Sequence, residues 1–135
     1  MHPDDLDDAA CAFFDERHIG TLVTLRADGT PHAVPVGFMY DHPARRLRII
    51  APAGTVKVAN ARRGGPAVVS VVDGGRWATF EGRASVHDDP TSIGRTLDAY
   101  RAKYGPPHGA QEAYVSVEIT VARVLGRFSI PGRPA

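Results

Sequence analysis

The sequence predicts a mainly β protein: a six-stranded antiparallel split barrel with flanking helices, forming a single domain over residues 1–135. Three observations carry this. Asp28-Gly29 and Gly74-Gly75 each separate two runs rich in Val, Leu, Thr and Ala, a hairpin signature. Helical periodicity is confined to three short stretches, too few to join six strands as a parallel sheet. With 135 residues, 43% hydrophobic and 23% charged, the chain suits one packed core.

Leu6, Ala9, Ala10, Phe13 and Phe14 recur at helical spacing, so Asp4–Arg17 is expected as an amphipathic helix with its acids at the start. Cys11 lies off the apolar stripe and reads as a partly covered free thiol. Ile19–Arg26 and Pro31–Tyr40 are strands about the turn Ala27-Asp28-Gly29-Thr30. Pro35 removes a ladder donor, which places its strand at an edge or a bulge. Gly37 admits a close approach to the backbone, by a flat ligand or by a barrel corner.

After Asp41-His42-Pro43, Arg45–Ala51 is the third strand. A Pro/Gly turn leads into a short helix with Thr55 at its start, where the hydroxyl is placed to cap free amides. Gly64-Gly65-Pro66 ends that helix. Ala67–Asp73 is almost wholly apolar and reads as a buried strand. In the long strand Arg76–His87, Trp77, Thr79, Glu81 and Arg83 share a face opposite Ala78, Phe80, Gly82 and Ala84. A third helix starts at Asp89-Pro90-Thr91, carries the stripe Ile93, Leu97, Tyr100, Tyr104 and stops at Gly105-Pro106-Pro107. The last strand, Ala113–Leu125, alternates Val115, Val117, Ile119 and Val121 against Ser116, Glu118 and Thr120. The tail Ser129–Ala135 is expected to be loose.

Lys57 falls in the first helical turn, where unpaired N–H groups already concentrate positive partial charge. Between Asp41 and Asp73 there is no acid, yet Arg45, Arg46, Arg48, Lys57, Arg62 and Arg63 all lie there. Two readings stand: a solvated basic face, or an anion held by Lys57, Thr55 and the helix amides.

Several classes fall away. The net charge of +1 gives no global case for nucleic acid, and Arg45–Arg63 lacks aromatic stacking residues. The single cysteine excludes an internal disulfide, and the six histidines show no ligand spacing, so no metal is expected. The acidic N-terminus is unlike a signal peptide, and no apolar run approaches the roughly 20 residues of a membrane span. A cytoplasmic location fits. Neither a nucleophile elbow nor a phosphate loop nor a carboxylate pair is present, so any hard chemistry falls to a cofactor.

Ile19–His32, Pro35-Val36-Gly37, Thr55–Asn60 and Trp77–Arg83, in that order and spacing, resemble the pyridoxamine-phosphate-oxidase-like split β-barrel superfamily of flavin and deazaflavin proteins. The likeness spans about residues 6 to 127. Val72–Trp77 and Arg123–Gly126 are most similar to the small actinobacterial F420-dependent reductases, in particular the biliverdin reductase branch. The resemblance implies a homodimer with cofactor sites at the subunit interface. It assigns Thr55 and Lys57 to the cofactor phosphate, and Pro35, Val36 and Gly37 to the strand along the ring. Ile50 and Ala51 fall beside the ring, and Arg76 and Trp77 reach over from the partner subunit. Asn60 fixes the turn; Arg62 and Arg63 either meet the acidic tail of F420 or are solvated.

The chain departs from true pyridoxamine-phosphate oxidases. Val34-Pro35-Val36-Gly37 replaces their arginine-rich motif, and the segment carrying their substrate-binding Trp and Arg is missing. This favours coenzyme F420 over the alternative, FMN. The implied activity is hydride transfer to a conjugated small molecule such as the tetrapyrrole biliverdin; the alternative is an FMN- or haem-binding protein without turnover. His32, Tyr40 and Arg76 are candidate proton donors, beside solvent.

Overall fold

The structure is a computed structural model and describes residues 1–107 and 113–130. A 3-10 turn, Pro3–Asp5, precedes α1 (Asp8–Asp15), β1 (Ile19–Leu25), β2 (Pro31–Gly37), β3 (Met39–Asp41) and β4 (Arg46–Pro52). Then follow α2 (Val56–Arg62), β5 (Pro66–Asp73), β6 (Arg76–His87), α3 (Pro90–Tyr104) and β7 (Tyr114–Arg127). The strands form one antiparallel sheet in the order β2-β1-β5-β6-β7-β4-β3.

Seven strands are present among the described residues rather than six. The expected strand Pro31–Tyr40 is divided at Phe38. Its first part pairs with β1 through Gly37↔Ile19, and its second with β4 through Met39↔Arg48. These are the two opposite edges of the sheet, so one extended run crosses the seam of a curled barrel. Pro35 does lie on an edge strand, facing Thr21.

The first helix is shorter than expected. Asp7 is extended and its carboxylate accepts from the Ala10 N–H, so the helix proper starts at Asp8 and Ala9 faces solvent. Leu6, Ala10, Phe13 and Phe14 are buried as the periodicity requires. Phe14 plugs one end of the barrel, its ring 4.7 Å from Phe80 and 5.4 Å from Phe128. Burying such a ring stabilises by about 1.5–3 kcal/mol. Cys11 is a half-covered free thiol.

Two strand expectations are corrected. In β5 only alternate residues Ala67, Val69 and Val71 are buried, while Val72 is 71% exposed, because the strand has the core on one face only. In β7 the reverse holds: Ser116 and Glu118 are as buried as Val117 and Ile119. Helix α3 covers that outer face, and Thr96 and Ser116 share a 2.6 Å hydrogen bond. The inward face of α3 therefore carries Ser92 and Thr96, and the stripe Ile93, Leu97, Tyr100, Tyr104 is only half covered. The β6–β7 ladder carries a bulge at Glu81/Gly82, where a Cβ on Gly82 would lie 2.0 Å from the Thr120 carbonyl oxygen. His108 and the last five residues of the tail expected to be loose lie outside the described residues.

Candidate functional site

A cleft of about 180 Å³ opens where the edge strand β2, strand β4, the start of α2 and the second half of α3 converge. Pro35, Val36 and Gly37 form one wall, and Ile49, Ile50 and Pro52 another. Tyr100, Pro107 and Tyr114 close the α3 side, and Lys57 supplies the cation. The walls follow from the local sequence: β2 is an edge strand, and β4 is held on its other side by Ile50↔Ser116 pairing.

Lys57 is half-buried and has no hydrogen-bond or ion-pair partner among the described residues. Burial pushes its ammonium down from the usual lysine range. An uncompensated cation in a mostly apolar cleft is a latent anion site, because an arriving anion restores what desolvation removed.

Thr55 occupies the N-cap position of α2, but its hydroxyl caps no amide. It donates instead to the Pro52 carbonyl oxygen at 2.9 Å, because the turn brings that carbonyl back over it. Thr55 borders the neighbouring opening formed with Pro52 to Gly54 and Ala113.

The expectation of an unpartnered basic field is also corrected. Arg45 pairs with Asp4, and Arg46 donates to Glu118 at 3.0 Å. Arg48, buried, contacts Asp41 and Glu118. The acids come from outside the stretch in sequence: the β3–β4 and β4–β7 ladders bring in Asp41 and Glu118, and the N-terminal 3-10 turn brings in Asp4. Arg63 donates to Asn60 and to the Leu25 carbonyl. Asn60 is buried and donates to Thr24 at 3.1 Å, so it ties α2 to β1 rather than fixing the turn before the helix.

Of the expected site residues, the cleft brings together Pro35, Val36, Gly37, Ile50 and Lys57. Ala51 is fully buried in the core. Arg76 and Trp77 do not line the cleft of their own chain. Arg76 donates to both Glu16 oxygens, at 2.7 and 2.8 Å, and to Asp73 at 2.6 Å. Those hydrogen bonds, Glu16's first, raise its already high pKa. The same guanidinium lies within the one group of potential metal ligands among the described residues, Glu16, His18 and Asp73. Trp77 is exposed on the outer sheet face.

The candidate proton donors fare no better. His32 and Tyr40 do not line the cleft either. Burial pushes the Tyr40 hydroxyl up to about 12, a poor acid. Sequence reasoning missed Ile49, Pro52, Tyr100, Pro107 and Tyr114. The signal for Tyr100 was there, in a helical stripe that is too aromatic and too exposed to be core.

The geometry suits a flat group with an anionic end: apolar walls on two strands, and one unpaired ammonium. The volume holds only part of a three-ring cofactor, since ligand cavities usually run to about 300–1,000 Å³.

A curled antiparallel sheet with such a cleft at its seam defines a split-barrel protein. The chain belongs to the pyridoxamine 5'-phosphate oxidase family, whose pattern matches residues 6–128. It is 43% identical over 128 residues to the F420H(2)-dependent biliverdin reductase of Mycobacterium tuberculosis (strain CDC 1551 / Oshkosh), covering 95% of this chain and 93% of that protein. Among solved structures it is similar to the conserved hypothetical protein Rv2991 of Mycobacterium tuberculosis, with TM-score 0.74 and 23% identity over 90% of this chain and 84% of that one. It is also similar to an F420 reductase, with TM-score 0.67 and 22% identity over 84% of this chain and 94% of that one. These two likenesses establish the shared fold.

Proposed function

We propose that the chain is an F420H2-dependent reductase acting in the cytoplasm on a conjugated small molecule, with biliverdin the first substrate to test. The observation that carries this reading is the 43% identity, over nearly the full length of both chains, to a reductase of that cofactor and substrate. The unpaired Lys57 at the end of an apolar cleft supports it.

When bound, the reduced deazaflavin supplies a hydride to an electrophilic carbon of the substrate. The chain's own residues position and shield. Lys57 holds the anionic phosphate end through a charge-assisted hydrogen bond. Pro35, Val36 and Gly37 on one side and Ile49 and Ile50 on the other give the ring a dry slot and fix its orientation. Thr55 would contribute its hydroxyl only by turning away from the Pro52 carbonyl, so Lys57 carries the phosphate contact. Among the described residues no carboxylic acid or histidine lines the cleft, and in this reading solvent supplies the proton that completes the reduction.

The working form in this reading is a homodimer. Ile19, Val72, Trp77 and Leu125 are large apolar side chains exposed on the described sheet, at 62%, 71%, 39% and 40%. On one cross-strand row, Val72 faces Trp77 and Trp77 faces Arg127. A second subunit on this face would bury them and bring residues of its own toward the open side of the cleft. Arg76 would pair with acidic groups of a tetrapyrrole only by leaving Glu16 and Asp73.

The test is a titration of the purified protein with F420, FMN and haem, followed by biliverdin added to protein with F420H2. A Kd for F420 on the order of micromolar, with biliverdin-dependent oxidation of F420H2, is the expected result. Tight FMN binding without F420 binding overturns the reading in favour of a flavin protein.

A further inference from the structure

The cleft wall Pro35–Gly37 ends at Phe38, where the chain leaves one edge of the sheet and joins the other. No ladder partner is available to Phe38 at that seam, and the residue is fully buried. Its backbone N–H and carbonyl must nevertheless be satisfied, since an unpaired buried group costs about 1–3 kcal/mol. Both are taken by side chains of the last turn of α3. The Phe38 N–H donates to the Tyr104 hydroxyl oxygen at 3.2 Å. The Lys103 ammonium donates to the Phe38 carbonyl at 2.8 Å.

The same two side chains reach further. Tyr104 donates its hydroxyl proton to the His18 carbonyl at 2.6 Å, tying in the entry to β1. Lys103 donates to the Phe14 carbonyl at 2.7 Å, at the end of α1, and its ammonium sits 4.2 Å from the centre of the Phe38 ring. Arg17 in turn donates to the Lys103 carbonyl at 2.8 Å, so the helix end is itself anchored. Gly37 completes the arrangement: a Cβ there would lie 3.0 Å from the Tyr100 ring and 3.1 Å from the Tyr104 ring. The glycine sequence reasoning read as open to a flat ligand or a barrel corner is approached by two tyrosines.

We infer that Lys103 and Tyr104 are positioning residues of the cleft: by holding both backbone groups of Phe38 they set the wall Pro35–Gly37, and they seat Tyr100 against Gly37 to close the cleft's other side. Neither residue lines the cleft, so each acts through the strand it holds. The two facing sides of the cleft are thus placed by one pair of side chains, and loosening it widens the slot in which the ring must lie flat. The ligand part of this inference rests on the F420 reading above; the structural part does not.

The test has two arms, on Tyr104→Phe, Lys103→Met and Lys103→Arg. Without ligand, amide hydrogen exchange at Val36–Met39 is compared with global stability from urea unfolding. About tenfold or faster exchange confined to this segment is expected for Tyr104→Phe and Lys103→Met, beyond what any change in global stability accounts for. Exchange there that merely follows global stability overturns the inference.

With F420 for Kd, and with F420H2 and biliverdin as hydride acceptor for turnover, Tyr104→Phe and Lys103→Met are expected to raise Kd and the KM for F420H2 about fivefold or more while kcat stays within about twofold. Lys103→Arg keeps donors for the two carbonyls and is expected to restore affinity. Unchanged F420 affinity in folded Tyr104→Phe and Lys103→Met overturns the inference, as does equal affinity in Lys103→Met and Lys103→Arg. If Tyr104→Phe does not fold, the Met and Arg pair decides alone. Failure of the wild type to bind F420 is failure of the functional reading instead, and the exchange arm then decides the clasp.

Discussion

Two lysines in this chain are half-buried without a carboxylate partner, and they do different work. Lys57 faces the cleft with no partner among the described residues. Replacing it by alanine is expected to weaken F420 binding by about 1.5–3 kcal/mol, the worth of a hydrogen bond to a charged group, with little loss of stability. A fluorescence titration reads this directly, and an unchanged Kd returns Lys57 to a solvated role. Lys103 faces inward onto two carbonyls, and burial pushes it down to about 8, with Asp15 pulling weakly the other way. Its folded pKa lies below the unfolded value, so between about pH 8 and 10.5 the unfolded chain holds a proton that the folded chain has released. In that window this group makes stability rise with pH. The expected observation is a wild-type minus Lys103→Met difference in urea midpoint that grows from pH 8 to pH 10; a flat difference contradicts it. Sequence separated these two lysines only halfway. Lys57 stood out because a cation in a first helical turn is anomalous, whereas a last turn, where Lys103 lies, is an ordinary place for one. Its partners are residues 14 and 38, and nothing local records them.

At the scale of elements, strands and hairpins were legible because alternation and Asp-Gly or Gly-Gly turns are local signals. What escaped was set by the opposite face of an element. In β7, Ser116 and Glu118 alternate with apolar residues as if solvated, yet both are fully buried under α3. Glu118 accepts from Arg46 and from Ser116, each at 3.0 Å, and Arg48 approaches at 3.4 Å. Burial alone would raise its pKa, but these hydrogen bonds, with the charges of His87 and Arg48, hold the carboxyl below the usual glutamate range. This cluster ties β4, the strand carrying Ile49 and Ile50, to β7. Glu118→Gln is expected to destabilise the fold by about 3 kcal/mol, because among the described residues it leaves the buried Arg48 with Asp41 as its only carboxylate and Arg46 unpaired. The sign with pH follows from the depressed pKa: the contribution is present above the unfolded value and is lost as pH falls through the folded one. Urea unfolding at pH 7 and below pH 4 reads both effects, with the variant losing less stability on acidification than the wild type. The apparent acid-free basic stretch of the sequence was therefore half of a charge network whose other half lies on β7, at the end of β3 and in the N-terminal turn.

At the scale of the whole molecule, the cleft and the outer sheet face pose one question. A cleft of about 180 Å³ is smaller than a three-ring ligand needs, and the same subunit exposes Ile19, Val72, Trp77 and Leu125 on its sheet. Exposed apolar side chains are common singly, but a row on one face of a sheet is costly unless covered. Association through that face answers both, since a partner would bury the row and add a wall to each cleft. The sequence carried half of this: the near-continuous apolar run of β5 was read as burial within one chain, whereas alternate residues face outward. Stable interfaces bury about 1,200–2,000 Å² in total, so one charge at the centre of such a patch is enough to dissociate it. Val72 is the position to test, because at 71% exposure it makes little contribution to the core of its own subunit. Val72→Glu is expected to sediment as a monomer, to keep the wild-type far-UV spectrum, and to lose F420 affinity by about tenfold or more although no cleft-lining residue has changed. A monomeric wild type, or a monomeric variant that binds F420 as tightly as the wild type, would show that one subunit builds the whole site. Cleft completion from within the chain would then fall to the α3 side, where Tyr100 and Tyr114 stand.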